Sequence, residues 1–182
     1  LIFESPSKVT HIGYKSFFNV SLRVLNIPNS LTVIGPNAFE SCWFNEVNQF
    51  NNPPDGNFIG AILQQIKCDA GCQLTTIGDF AFAGQENMFS LKIPASVMNI
   101  GISAFADITF FSFTFESGSR LTKISNSAFR HSYFDHNIVF PETLSFIGDH
   151  AFYSNYFTSI VIPGNVTYIG SSAFSSSSRS NP

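Results

Sequence analysis

Charge is scarce in this chain: Asp, Glu, Lys and Arg make up only 12% of its 182 residues, and the formal net charge is −3. Its nine Lys and Arg are scattered, so the dense basic face that grips a phosphate backbone is missing, which argues against nucleic acid as a partner. Long apolar runs are missing too. Patches such as Phe110–Phe111 and Ile160–Ile162 are interrupted within a few positions, well short of the roughly 18 to 20 residues needed to cross a bilayer, and no direct membrane insertion is expected. Cysteine occurs three times, at Cys42, Cys68 and Cys72, an odd number that builds no disulfide framework. Cys68 and Cys72 can bridge across a turn, or all three can serve as small buried apolar groups. A C-x-x-x-C without a matching second pair is weak as a metal site. Leu1 is preceded by no initiator Met and opens no signal-peptide pattern, so the chain reads as a segment of a longer array.

What is abundant is Phe, 22 times, in a chain that is 44% hydrophobic. That excludes disorder and leaves enough apolar surface for a substantial core. The aromatics recur at a fixed interval. Ile34–Phe39 (IGPNAF), Ile77–Phe82 (IGDFAF), Ile100–Phe105 (IGISAF), Ile147–Phe152 (IGDHAF) and Ile169–Phe174 (IGSSAF) share one pattern. Ile12–Phe17 (IGYKSF) and Ile124–Phe129 (ISNSAF) each differ at one position. The anchor isoleucines 12, 34, 77, 100, 124, 147 and 169 are 22 to 24 residues apart, except for one gap of 43. Repeats of this period belong to solenoids. The double gap implies a degenerate coil with Ile59-Gly60 as its anchor. Residues 1–182 then form a single repeat domain of about eight coils, with an irregular one over about 46–65.

A short alternating run precedes each anchor and reads as a strand: Leu25–Ile27, Ile66–Cys68, Leu91–Ile93, Phe113–Phe115, Ile138–Phe140 and Ile160–Ile162. One coil cannot bury its own apolar side, so like residues must align into internal ladders as coils stack. Phe39, Phe82, Phe105, Phe129, Phe152 and Phe174 are expected to form an aromatic spine, beside a column of Leu22, Phe44, Phe110, Phe134 and Phe157. The alanine before each spine residue allows close packing, and glycine after the anchor allows a tight corner.

The Ile-Gly-x-x-Ala-Phe units and the Ile-Pro-x-Ser-Leu/Val-Thr linkers resemble BspA-type leucine-rich repeats, which occur in surface proteins of bacteria and some parasitic protists. The resemblance covers nearly the whole chain and is weakest at about 46 to 65. It implies a right-handed, curved leucine-rich repeat solenoid, β-rich with little α-helix. A parallel sheet would line the concave face, with short irregular or 3₁₀ segments on the convex face. It also implies an extracellular or cell-surface setting and binding of host or partner macromolecules. Phe replaces Leu in the ladders here, and the Asn ladder of the commoner pattern is absent after the strand.

Alternation along the strands points Ile2, Asn26, Lys67, Lys92, Thr114, Val139 and Val161 outward. Of these, Asn26, Lys67, Lys92, Thr114, Val139 and Val161 form the expected binding column for a host, extracellular-matrix or cell-surface protein. Val139 and Val161 carry the apolar contact, whereas Lys67 and Lys92 can equally pair with Asp69 and Glu116 across strands. Chemistry is not legible. His11, His131, His136 and His150 fall at different positions of the repeat, and His131, Asp135 and His136 match no metal spacing. No nucleophile elbow or phosphate loop occurs, so neither a catalytic residue nor a metal or other cofactor is expected. Two sequons, at Asn19 and Asn165, permit glycosylation in a secretory pathway. The alternative to binding is a structural spacer that holds flanking domains apart or continues end to end into further repeats.

Overall fold

The structure, a computed structural model, describes residues 1–20, 22, 25–42, 67–68, 71–85, 90–110, 112–134, 137–157 and 159–176. The described residues contain no helix and thirteen short strands. In chain order these are β1 (His11–Ile12), β2 (Asn26–Ile27), β3 (Val33–Ile34), β4 (Lys67–Cys68), β5 (Thr76–Ile77), β6 (Ser90–Ile93) and β7 (Asn99–Ile100). They continue with β8 (Thr109–Phe110), β9 (Ser112–Phe115), β10 (Lys123–Ile124), β11 (Tyr133–Phe134), β12 (Phe146–Ile147) and β13 (Tyr168–Ile169). All pairings are parallel, as in a leucine-rich repeat solenoid.

The principal sheet is not where the alternating runs placed it. It has seven strands in the order β1-β3-β5-β7-β10-β12-β13, and it runs through the anchor isoleucines, each set opposite the next. The anchors from Ile12 to Ile147 point inward and are at most 4% exposed, while the residue before each is half-buried or exposed. The expected strands form smaller units, β2 with β4, β6 with β9, and a Val139–Val161 bridge. β3 pairs directly with β5, so Ile34 lies against Ile77 and no rung stands between them. Ile59 lies outside the described residues, as do Phe44 and the irregular stretch 46–65.

Beyond each anchor the chain follows linked turns rather than a 3₁₀ segment. In one coil Ala38 N–H donates to Gly35 O, Glu40 N–H to Asn37 O and Cys42 N–H to Phe39 O, at 3.4, 3.2 and 3.3 Å. The third residue past every anchor (Lys15, Asn37, Phe80, Ser103, Ser127, His150 and Ser172) has φ between 50 and 57°. This left-handed conformation disfavours bulky side chains. Contacts to the next coil hold it there: Asn37, Phe39 and Ser41 N–H donate to Asp79, Ala81 and Ala83 carbonyls at 2.8, 2.8 and 3.0 Å. On the strand side Gly35 N–H donates back to Ile12 O at 2.7 Å.

The glycine after the anchor is therefore explained by proximity, not by φ. A Cβ on Gly148 would lie 2.6 Å from Asn126 N and 2.7 Å from Ser125 C, and one on Gly101 2.6 Å from Asp79 N. Side chains share this crowded corner. Asp79 Oδ1 accepts Ile102 N–H at 2.7 Å, Asn126 Oδ1 accepts Asp149 N–H at 3.1 Å, and Asp149 Oδ1 accepts Ser171 N–H at 2.8 Å. Ser125, the one replacement for glycine, stacks over the coil that carries Ile102 in place of an Asp or Asn cap.

The spine forms as expected and gains a seventh ring. Phe17, Phe39, Phe82, Phe105, Phe129, Phe152 and Phe174 stack successively with centroids 5.1 to 5.4 Å apart and planes within 11°. Phe110 stacks on Phe134 and Phe134 on Phe157, at 5.1 and 5.8 Å, in the second column. Two hydrogen-bond series tie the coils further. Hydroxyls two residues before the anchor donate to the preceding coil: Thr32 to Thr10 O, Thr75 to Thr32 O, Thr122 to Met98 O, Ser145 to Thr122 O and Thr167 to Ser145 O, at 3.0 to 3.2 Å. Eight residues past the anchor, a buried side chain caps the carbonyl of the preceding spine residue. Cys42 donates to Phe17 O, Gln85 to Phe39 O, Ser132 to Phe105 O and Asn155 to Phe129 O, at 2.5 to 2.8 Å. This mixed column stands in for the absent Asn ladder. Cys42 is a free thiol within it, whereas Cys72 is disulfide-bonded. Burial pushes the Cys42 thiol above its usual value, against a smaller pull from a backbone hydrogen bond at Val20.

Three outcomes are expected. Phe105→Ala, at a fully buried ring, should lower unfolding free energy by about 3 to 5 kcal/mol in denaturant titration. Gly148→Ala should cost about 1 to 3 kcal/mol, while Gly13→Ala, whose Cβ would meet nothing closer than Ser16 Oγ at 3.5 Å, should be near neutral; equal effects would reject the stacking explanation. Because the Cys42 pKa is higher folded than unfolded, its thiol contribution is constant below the ordinary thiol range and is lost as pH rises through it. Paired melts at about pH 7 and about pH 10 should show the natural protein losing ground to Cys42→Ser.

Candidate binding face

The outward column sits on the smaller strand units, where alternation buries one residue and exposes the next. Asn26 lies opposite Lys67 on β2 and β4, Lys92 opposite Thr114 on β6 and β9, and Val139 is bridged to Val161. Asn26 N–H donates to Leu1 O at 3.2 Å, which sets Ile2 beside Asn26. The structure thus brings the predicted residues together as three neighbouring pairs. Among the described residues no strand pairing joins one pair to the next, so the expected continuous sheet is found in pieces.

Exposure within the column is uneven. Val139 and Val161 are 84% and 77% exposed between buried or half-buried neighbours, and Ile2 is 73% exposed. Lys92 and Thr114 are exposed and Asn26 is half-buried. Beside the valines, Asn137 and Ser159 bond reciprocally: Asn137 Nδ2 donates to Ser159 Oγ at 3.0 Å, and Ser159 N–H donates to Asn137 Oδ1 at 3.3 Å. This fixes the polar margin of the valine pair. Lys92 and Glu116, both described, form no ion pair; Glu116 Oε2 accepts Ala95 N–H at 2.9 Å. Asp69 lies outside the described residues. The face therefore presents two adjacent branched apolar side chains, a hydrogen-bonding margin and a lysine.

Other singled-out residues are dispersed. His131 Nδ1 lies 3.3 Å from Asp107 Oδ1 on the turn side, while Asp135 and His136 lie outside the described residues. Among the described residues no three metal-ligating side chains converge. Asn19 is exposed at a left-handed turn position, and Asn165 is exposed with its amide donating to Glu142 O at 2.8 Å. No helix among the described residues is long and apolar enough to cross a membrane.

The sequence reading missed a second exposed stripe, on the principal sheet. Lys123 Nζ sits 5.1 Å from the Phe146 ring centroid, Phe146 stacks on Tyr168 at 4.7 Å, and Tyr168 Oη approaches Asp149 Oδ1 at 3.4 Å. The position before each anchor gave the signal: once the anchor faces inward, alternation turns its predecessor out.

The family model described as a BspA-type leucine-rich repeat region matches residues 2–55 and 51–181, in six copies. No curated protein matches the chain. Among solved structures, the chain is similar to the crystal structure of the pneumococcal vaccine antigen PcpA. The TM-score is 0.67 and the identity 22%, and the match covers 86% of this chain and 36% of that one. The chain thus spans about a third of that structure's length, and at this identity the likeness shows the fold alone. With the family model matched across nearly all of its length, the chain belongs to the BspA-type leucine-rich repeat family.

Proposed function

We propose that the chain is a non-catalytic protein-interaction or adhesion module, working at a cell surface or outside the cell. It binds a macromolecular partner, a host, extracellular-matrix or cell-surface protein, through the face carrying Asn26, Lys67, Lys92, Thr114, Val139 and Val161. One observation carries the reading: Val139 and Val161, adjacent on neighbouring coils, are 84% and 77% exposed, the two most exposed large apolar side chains among the described residues. Exposed apolar neighbours with a polar margin mark contact sites. Family membership and likeness to a vaccine antigen support the surface setting.

A structural spacer is the second reading. The cross-coil side-chain hydrogen bonds favour it, since they stiffen the stack without presenting anything to a ligand. Seven rungs at about 4.8 Å give a strut of roughly 30 Å.

Binding to an array of immobilised extracellular-matrix and host-surface proteins separates the two. The module reading expects a saturable interaction that Val139→Glu with Val161→Glu weakens at least about tenfold, with a smaller loss for Lys67→Glu with Lys92→Glu and an unchanged melting curve. Binding that ignores all four substitutions would remove this face from the account, and no binding across the array would leave the spacer.

A further inference from the structure

We propose that the junction between the coils anchored on Ile77 and Ile100 is a seam at which the solenoid opens more readily than at the junction that follows it, Ile100–Ile124. The hydroxyl series and the carbonyl-capping series both cross the junctions Ile12–Ile34, Ile34–Ile77, Ile100–Ile124 and Ile124–Ile147. At Ile77–Ile100 both are interrupted. The position that would send a hydroxyl to Thr75 O is Met98, and the one that would cap Phe82 O is Ile108. Neither side chain has a hydrogen to donate to an oxygen.

The two substitutions fall on the same coil and loosen it toward the same neighbour. On its other side that coil is held more firmly. The four-residue strands β6 and β9 pair along their whole length. The Met98 thioether accepts from Arg120 Nη2 at 3.9 Å, a residue of the following coil. Ile108 N–H also turns that way, donating to Ser132 Oγ at 3.3 Å. Among the described residues the seam is crossed by the backbone ladder, the Phe82–Phe105 stack at 5.4 Å, the Asp79 cap on Ile102 N–H and the Ser96 hydroxyl, which lies against Leu74 O and Cys72 Sγ. In a linear array, stability is a sum of neighbour terms, so of the two junctions that flank this coil the one with fewer ties opens first.

Native-state hydrogen exchange at low guanidinium concentration reads this directly. Six amides that bond to backbone carbonyls across the seam serve as reporters: Met98, Asn99 and Gly101 donate backward, and Phe80, Phe82 and Gly84 forward. Two missing hydrogen bonds of ordinary strength predict that these six exchange roughly ten- to thirtyfold faster than Thr122, Ser125, Phe105 and Asp107, which cross the next junction. Met98→Thr returns a hydroxyl to the series and should slow the seam amides by roughly fivefold while sparing the next junction. Thr122→Val, at an exposed position, should create a matching gap and speed the Ile100–Ile124 amides by a similar factor. Equal exchange at the two junctions, or seam amides indifferent to Met98→Thr, would overturn the proposal.

Discussion

The backbone hydrogen bond from one coil to the next is the constraint on which everything else depends. It holds neighbouring chains about 4.8 Å apart, and each position of the repeat answers to that distance. Glycine follows the anchor because Asn126, Asp79 and their peptide atoms already occupy the space of a Cβ. Alanine precedes the spine ring and is buried at Ala38, Ala81, Ala104, Ala128, Ala151 and Ala173. The phenylalanines settle 5.1 to 5.4 Å apart, wider than the rung spacing, as rings offset from face-to-face overlap require. The repeat thus reads as one spacing imposed on seven successive turns of chain.

The ladders were legible because stacking makes sequence period and spatial neighbour the same thing. Ile34 and Ile77 are ladder partners although 43 residues separate them, which shows the limit of that reasoning: at this gap one rung spans nearly two periods of sequence. The principal sheet was misplaced for a related reason. A two-residue strand such as Val33–Ile34 is too short to show alternation, whereas Ile138–Phe140 shows it clearly and forms only a bridge at Val139. The glycine was correctly singled out on the wrong physics, since the left-handed positions fall on Lys15, Phe80, His150 and their equivalents instead. Nothing in those side chains announces it; the hydrogen bonds to the next coil impose it.

Of the candidate face, orientation was legible and continuity was not. Outward alternation placed Val139 and Val161 correctly, and their exposure agrees. The division into separate strand pairs depends on how neighbouring coils meet, which no single coil encodes. The same holds for the mixed column of Cys42, Gln85, Ser132 and Asn155, whose members differ in size and functional group and share only a hydrogen to give to a carbonyl beneath.

The one-way hydrogen bonding of the turns has a consequence for the ends of any such array. Along a parallel ladder successive N–H groups go to opposite neighbours, but on the turn side Asn37, Phe39 and Ser41 N–H all point toward the following coil and the carbonyls of Pro36, Ala38 and Glu40 toward the preceding one. An array of these coils therefore offers turn-side carbonyls at one end and turn-side N–H groups at the other, and a buried group of either kind needs a partner. Its two caps must differ in kind, one supplying donors and the other acceptors, however many coils lie between them.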